Sequence, residues 1–340
     1  MYTSLKFYVL FYFGLCLSLS GFCQSDNQKD AENLREVLKI FFNPVEKDNQ
    51  FLIDHKKKID LGRYLFYDER LSDNSTVSCH SCHNLNAFGT NGNYYLEQKK
   101  KGESFRDVPT LYNVNTLPIY NADGGIDSIK EKLKHAFSNP FEMNIKDANL
   151  MVEKLKEIDD YQTLFDEVYT TDGNAISFKN IIDALQTFIN GLTTPAPIDA
   201  FIKGKNDALS KEQIEGGHLF NDKSCYSCHT GSNVGGQMIQ KLGIEVAWPN
   251  QNDLGYYHLN RRSDYKMFFR VAPLRNVEKT APYFHDGSSE KLWKAVELMG
   301  KHERGLEIST ADALKIGEFL KALTGEIPID YIKQPNILVN

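Results

Sequence analysis

The sequence predicts a mainly α fold built as two helical domains, and three observations carry that expectation. Its 340 residues exceed the roughly 100–200 of one domain. Apolar residues recur at helical spacing, with no convincing run of alternating strand residues. A Cys-x-x-Cys-His pattern stands once in each half. A composition of 41% hydrophobic and 25% charged residues is globular and excludes a wholly disordered chain. The net charge of −6 leaves no basic excess to neutralise phosphates, so nucleic acid is not an expected partner.

Taken in order, the chain opens with Lys6 ahead of an uncharged run from Phe7 to Phe22 and turns polar at Gln24. That is the pattern of a secretory signal peptide, residues 1–23, cleaved near Cys23 or Gln24. A membrane anchor is the alternative, but the run falls short of the ~17–25 residues of a spanning helix. A lipoprotein anchor at Cys23 would want a small residue where Phe22 stands. Nothing later in the chain is long and apolar enough to cross a bilayer. Export places the protein in the periplasm.

The mature chain divides into an N-terminal domain, 24–190, and a C-terminal domain, 191–340, joined at the Gly191–Pro197 stretch with its two prolines. Within the first, Asp54 to Tyr67 carries Ile59, Leu61, Tyr64 and Leu65 at amphipathic spacing, and Ile181, Ile182, Leu185, Phe188 and Ile189 form a second stripe. Ser128-x-x-Glu131 and Ser210-x-x-Gln213 are helix-starting capping boxes. A helix is expected from Ser289 to Gly300. Another runs from Ser309 to Leu323 through Ile316, Phe319, Leu320 and Leu323, with Gly325 as its C-cap.

The cysteines are the most informative residues. Of six, Cys16 and Cys23 lie in the signal segment, leaving Cys79, Cys82, Cys225 and Cys228. An exported protein ordinarily spends cysteines on disulfides, but each pair here is followed by a histidine, His83 and His229. That is the attachment signature of c-type haem. Two thiols at this spacing add across the two vinyl groups of one porphyrin, and the next imidazole lies under the iron. Zinc would want four ligands, and a redox disulfide needs no following histidine. Two covalently bound haems c, one per domain, are expected, and the domains are cytochrome-c-like.

Four ordered blocks carry a more specific reading: Leu61 to Ser72 (LGRYLFYDERLS), Asn139 to Asn144 (NPFEMN), Phe269 to Gly287 (FRVAPLRNVEKTAPYFHDG) and Ala295 to Gly300 (AVELMG). Through them the mature chain resembles the bacterial di-haem cytochrome c peroxidase family, to which the di-haem enzyme that matures methylamine dehydrogenase is related. The resemblance implies a high-potential C-terminal haem held by His229 and Met299, where electrons arrive. A thioether favours ferrous iron. Met267 is the other local candidate, and a core role for Met299 is the plainer alternative. It implies a low-potential N-terminal haem on His83, where hydrogen peroxide reacts with Glu142 as the acid–base group. Phe141 and Met143 beside it would raise the carboxyl's pKa if the site is buried; a solvated glutamate between them is the alternative.

The resemblance also implies a calcium ion between the domains, with Asp107 where the family has Asn and backbone carbonyls from Thr280 and Pro282. Oxygen ligands suit that ion. A solvated loop aspartate beside Arg106 is the alternative. The implied partners are hydrogen peroxide and a small electron-donor protein, a cytochrome c or a cupredoxin. Monomer and homodimer both stay open.

Two departures stand out. The family's distal histidine has no counterpart, since no histidine lies between Asn84 and Lys134. The nearest loop residues are Tyr94, Tyr95, Glu97, Gln98 and Lys99 to Lys101, and an amine or phenol ligand must first be deprotonated from a pKa of about 10. An N-terminal iron open at rest is expected. The family's Trp before Asp-Gly is Ala122 in the run Tyr120 to Gly124, and the two tryptophans, Trp248 and Trp293, both lie in the C-terminal half. Two other functions remain: an oxidase that modifies a partner protein, whose known member has Tyr where Met299 stands, and an electron carrier or redox sensor.

Overall fold

The computed structural model describes residues 28–91, 106–169 and 174–336. The signal segment, Tyr94, Tyr95, Glu97, Gln98 and Lys99 to Lys101 lie outside them. Its longer helices are α1 (28–41), α2 (Lys56–Tyr67), α3 (Ile129–Ser138), α4 (Ala148–Lys156), α5 (Asp159–Asp166), α6 (Phe178–Asn190), α7 (Lys211–Asp222), α8 (Leu292–Arg304) and α9 (Thr310–Lys321). Among the described residues, strands are limited to one antiparallel pair, β1 (Ile239–Lys241) and β2 (Phe268–Arg270), with Gln240 opposite Phe269. The fold is mainly helical, as expected. The sequence pattern missed the pair because three residues are too few to show an alternation.

Two cores organise the helices. In the first, α2 lies against α6, burying Leu61, Leu65 and Phe66 against Ile181, Leu185 and Phe188, and α3 to α5 close around them through Leu133, Phe137, Leu155 and Phe165. In the second, α7 lies against α9, burying Ile214 and Phe220 against Ile316, Phe319 and Leu320. The α6 and α9 stripes read from the sequence are the residues that do this.

The two cores are built alike. A Cβ on Gly62 of α2 would stand 2.1 Å from the Ala184 carbonyl oxygen, and one on Gly216 of α7 would stand 1.9 Å from that of Lys315. In both, the next neighbour is the Cβ of a phenylalanine four residues on, Phe188 or Phe319. Each glycine therefore lets two helices approach backbone to backbone. After α2 and α7 come the two Cys-x-x-Cys-His segments. Later, Asn113 and Asn276 take left-handed conformations, at φ of 63° and 62°. Each heads a short 3-10 turn, Val114–Thr116 and Val277–Lys279.

The chain ends cross between the cores. Ala31, Leu34 and Leu38 of α1 are buried in the second, whereas Tyr331 and Ile332 return to the first. The Tyr331 ring stacks on Phe188 at 5.3 Å and its hydroxyl donates to the Phe188 carbonyl. Tyr67 donates to the Ile332 carbonyl at 2.6 Å. The segment joining α6 to the next helix is buried at Leu192 and Thr194. Asn113 and Asn276 both donate to the Thr194 hydroxyl, at 2.8 and 3.0 Å, so one threonine ties the two equivalent turns together. Beside it Arg275 and Asp199 form a fully buried pair, Nη2–Oδ1 2.6 Å, whose carboxylate also accepts from the Val45 and Ala196 amides.

Three local expectations need correction. Ser128 caps α3 through the Glu131 amide, but Glu131 turns to Lys134 rather than back to the cap; only Ser210 and Gln213 make the reciprocal box. Helix α8 begins and ends later than Ser289 to Gly300. Gly300 is internal because Ile308 packs where its Cβ would be, and Gly305, at φ 62°, ends the helix. Gly325 is not the cap of α9, which closes at Ala322. It is a close approach, with the Thr194 carbonyl 2.3 Å from its missing Cβ. No helix among the described residues is long and apolar enough to cross a membrane.

Candidate functional site

Cys79–Cys82 is a single helical turn entered through Ser78, whose amide donates to the Ser81 hydroxyl at 3.0 Å. It leaves both thiols half-buried and unpaired. Burial pushes the Cys79 thiol up to about 12 and raises that of Cys82. The next residue, His83, sets its Nδ1 3.1 Å from the Gly89 carbonyl. A carbonyl can only accept, so Nδ1 carries the proton and Nε2 is left as the lone pair a metal takes. Desolvation holds the imidazole below its usual pKa, which favours the neutral, ligating form.

The second segment repeats this arrangement. Cys225–Ser227 is a short 3-10 turn with free, half-buried thiols at Cys225 and Cys228. His229 Nδ1 stands 3.1 Å from the Ala272 carbonyl, and burial pushes its pKa down to about 4. Gly235, at φ 127°, makes room, because a Cβ there would lie 2.4 Å from the Ala272 oxygen and 3.2 Å from Nδ1. Met299 is half-buried on α8. Leu292, Ala295, Val296 and Met299 fall at i, i+3, i+4 and i+7, on one helix face, and the first three pack on the core that also takes Cys225 and Tyr226. Met267, the other candidate, is 5% exposed and committed to a cluster with Trp248 and Phe269.

Glu142 sits in the turn that reverses the chain after α3. Its amide donates to the Asn139 carbonyl at 3.0 Å, while Asn144 takes a left-handed conformation two residues on. Its Oε1 accepts from Asn139 Nδ2 at 2.9 Å and Lys132 Nζ at 3.1 Å. Its charge acts on Cys79, Cys82 and His83. The apolar wall expected from Phe141 is absent, since that ring is 68% exposed. An amide and an ammonium are the partners instead.

Between the halves, Arg106 is held by Asp253 at 2.7 Å and Asp123 at 2.6 Å, so it does not neutralise its neighbour. Asp107 Oδ1 is buried without a hydrogen-bond partner, and burial raises the carboxyl to about 7. This is not the solvated loop residue of the alternative reading. An orphaned buried carboxylate oxygen is what an oxygen-ligated cation would satisfy, so the residue fits calcium. Among the described residues no three or more His, Cys, Asp or Glu side chains cluster as a metal site; calcium would depend on carbonyls such as those of Thr280 and Pro282. Arg270 on β2 is the converse. Its Nε is buried without a partner, and desolvation lowers its pKa to about 10. Its Nη1 donates to the Ile119 carbonyl at 3.5 Å, and a buried guanidinium with a donor left over fits the propionate of a porphyrin. Arg270, Lys132 and Asn139 escaped the sequence reading because their roles depend on partners distant in the chain or across a turn.

Ala122 packs against the cluster of Trp248, Met267 and Phe269. The position lacking Trp thus abuts a cluster that contains a tryptophan of the other half, and Trp248 also meets Phe284 at 4.5 Å. Tyr120 instead leans on the first core and donates to the Val114 carbonyl.

Fold and site together define a class, the di-haem c-type cytochromes with two equivalent helical halves. The comparisons narrow it. The family model for di-haem cytochrome c peroxidase matches residues 56–207. The chain is 32% identical to cytochrome c551 peroxidase of Nitrosomonas europaea, covering 84% of this chain and 85% of that one. It is 31% identical to cytochrome c551 peroxidase of Pseudomonas aeruginosa, covering 88% of each. A solved MauG-like protein associated with microbial copper homeostasis shares the fold, with a TM-score of 0.70 at 23% identity, covering 83% of this chain and 95% of that one. The chain belongs to the di-haem cytochrome c peroxidase family, which implies two haems c.

Proposed function

We propose that the chain is an exported di-haem peroxidase that reduces hydrogen peroxide to water with electrons from a small redox protein. Cys79 and Cys82 would attach one haem, with His83 as its ligand. Cys225 and Cys228 would attach the other, with His229 and Met299 as ligands. When bound, the haems would relay the donor's electrons and provide the iron at which peroxide is reduced. Asp107 and the carbonyls of Thr280 and Pro282 would hold calcium between residues 24–190 and 191–340, the peroxidatic and electron-input halves.

One observation carries the reading. Two equivalent thiol-imidazole segments exist, and the Glu142 carboxylate, held by Lys132 and Asn139, lies close enough to the first for its charge to bear on Cys79, Cys82 and His83. Its held position lets it take a proton from the near oxygen of peroxide and return one to the departing oxygen. Met299 favours a peroxidase over an oxidase that modifies a partner protein, and Glu142 favours one over a simple electron carrier. The test is steady-state peroxide consumption by the haem-loaded protein with a reduced c-type cytochrome. Turnover that scales with enzyme supports the reading; cytochrome oxidation without peroxide dependence refutes it.

A further inference from the structure

The turn after α3 does more than place a carboxylate. It folds Glu142 back beside Lys132, whose Nζ lies 3.1 Å from Oε1 and 3.5 Å from Oε2. Asn139 also occupies Oε1. Oε2 is therefore the oxygen left to receive a proton. Lys132 and Glu142 both lie close enough to His83 for their charges to bear on its imidazole. Neighbouring charges are engaged elsewhere: Glu131 pairs with Lys134, and Asp183 on α6 pairs with Lys58. The Lys132 and Glu142 side chains are 30% and 32% exposed, a level at which an ion pair contributes little to stability. A pair of small stability value, beside the imidazole of the proposed peroxide site, points to another role.

We propose that Lys132 is a positioning residue of the peroxide site, fixing Glu142 and making the site favour anionic ligands. The inference rests on the assignment of Glu142. The step concerned is one proton transfer: hydrogen peroxide gives a proton to Oε2, leaving a hydroperoxide anion and a neutral carboxylic acid. Negative charge thus moves from Glu142 to the ligand, and the Lys132 cation has a counter-charge before and after the transfer. Without it the new anion loses that positioned counter-charge, which Lys132 supplies with no reorganisation at the moment of transfer.

The probes are azide and imidazole, an anion and a neutral ligand, titrated by visible absorbance into the haem-loaded protein. The form used, ferric or half-reduced, is whichever takes azide. Lys132→Met should weaken azide by about tenfold, the effect of roughly 1.4 kcal/mol of lost charge interaction, and should leave imidazole affinity unchanged. Lys132→Arg should restore azide affinity, and Glu142→Gln should strengthen it. Peroxide kcat/KM should fall in Lys132→Met and recover in Lys132→Arg. Equal azide affinity in wild type and Lys132→Met overturns the proposal, as does azide binding in neither form. Undiminished peroxide turnover in Glu142→Gln would instead overturn the assignment of Glu142, whatever the azide result.

Discussion

The two halves use the same scaffold for different ends. Gly62 and Gly216 bring paired helices into backbone contact, Asn113 and Asn276 make the same left-handed turn, and His83 and His229 are both oriented by a carbonyl. What differs is what surrounds each imidazole. The first half sets a carboxylate, an ammonium and an amide near His83; the second presents a thioether on α8. Asp107 and Arg270, each six residues before its asparagine, are both buried with an unpartnered polar atom, and they carry opposite charge. In the proposed reading the duplicated backbone sets where each haem would sit, and the side chains around it would decide whether the iron meets peroxide or passes electrons.

The comparison breaks most visibly at the thiols. Replacing Cys225 and Cys228 with Ser should remove one of two haems retained through acid–acetone extraction, and replacing Cys79 and Cys82 should remove the other along with all peroxide turnover. Retention of both haems in either variant would refute the pairing of motif and half. Next in size, Glu142→Gln should lower turnover by roughly 10²–10⁴ with both haems in place, because the carboxylate serves the first half. Met299→His should lower the midpoint potential of the C-terminal haem alone, since imidazole stabilises ferric iron relative to a thioether. Redox titration followed by visible absorbance reads this, and an unchanged potential would make Met299 a packing residue.

Smaller effects test the scaffold. Gly62→Ala and Gly216→Ala should each destabilise by about 1–3 kcal/mol through overpacking, measured by denaturant unfolding. A large effect in only one would break the equivalence. Acid should also separate the halves. Burial alone would raise the pKa of Asp68, but hydrogen bonds from Arg70 and Tyr161 outweigh it and hold the carboxyl below 3.8. The stability this contributes is present above 3.8 and lost as pH falls through the lower folded value. Asp68→Asn should therefore flatten the acid limb of the stability profile; an unaltered limb would assign it to other groups.

The two Cys-x-x-Cys-His segments were legible because covalent haem attachment would fix their spacing, and the α6 and α9 stripes because burial demands a period. The ends of α8 and the place of Gly325 were not legible. A glycine inside a helix, accommodating Ile308, reads in sequence like one that ends it, and the neighbour at Gly325 is Thr194, far off in the chain. Glu142 was visible through a family pattern, but its partners depend on the chain reversing at Asn139. The equivalence of Asp107 and Arg270 was hidden because the residues share a backbone position and no chemistry.

A single scaffold with two different iron environments leaves its signature in the low-temperature EPR spectrum of the fully oxidised, haem-loaded protein. The arrangement predicts a low-spin signal that changes in Met299→His, together with a high-spin ferric signal from the His83 haem, since no histidine between Asn84 and Lys134 is there to complete its coordination. Two low-spin signals, with peroxide reactivity gained only after one-electron reduction, would contradict it.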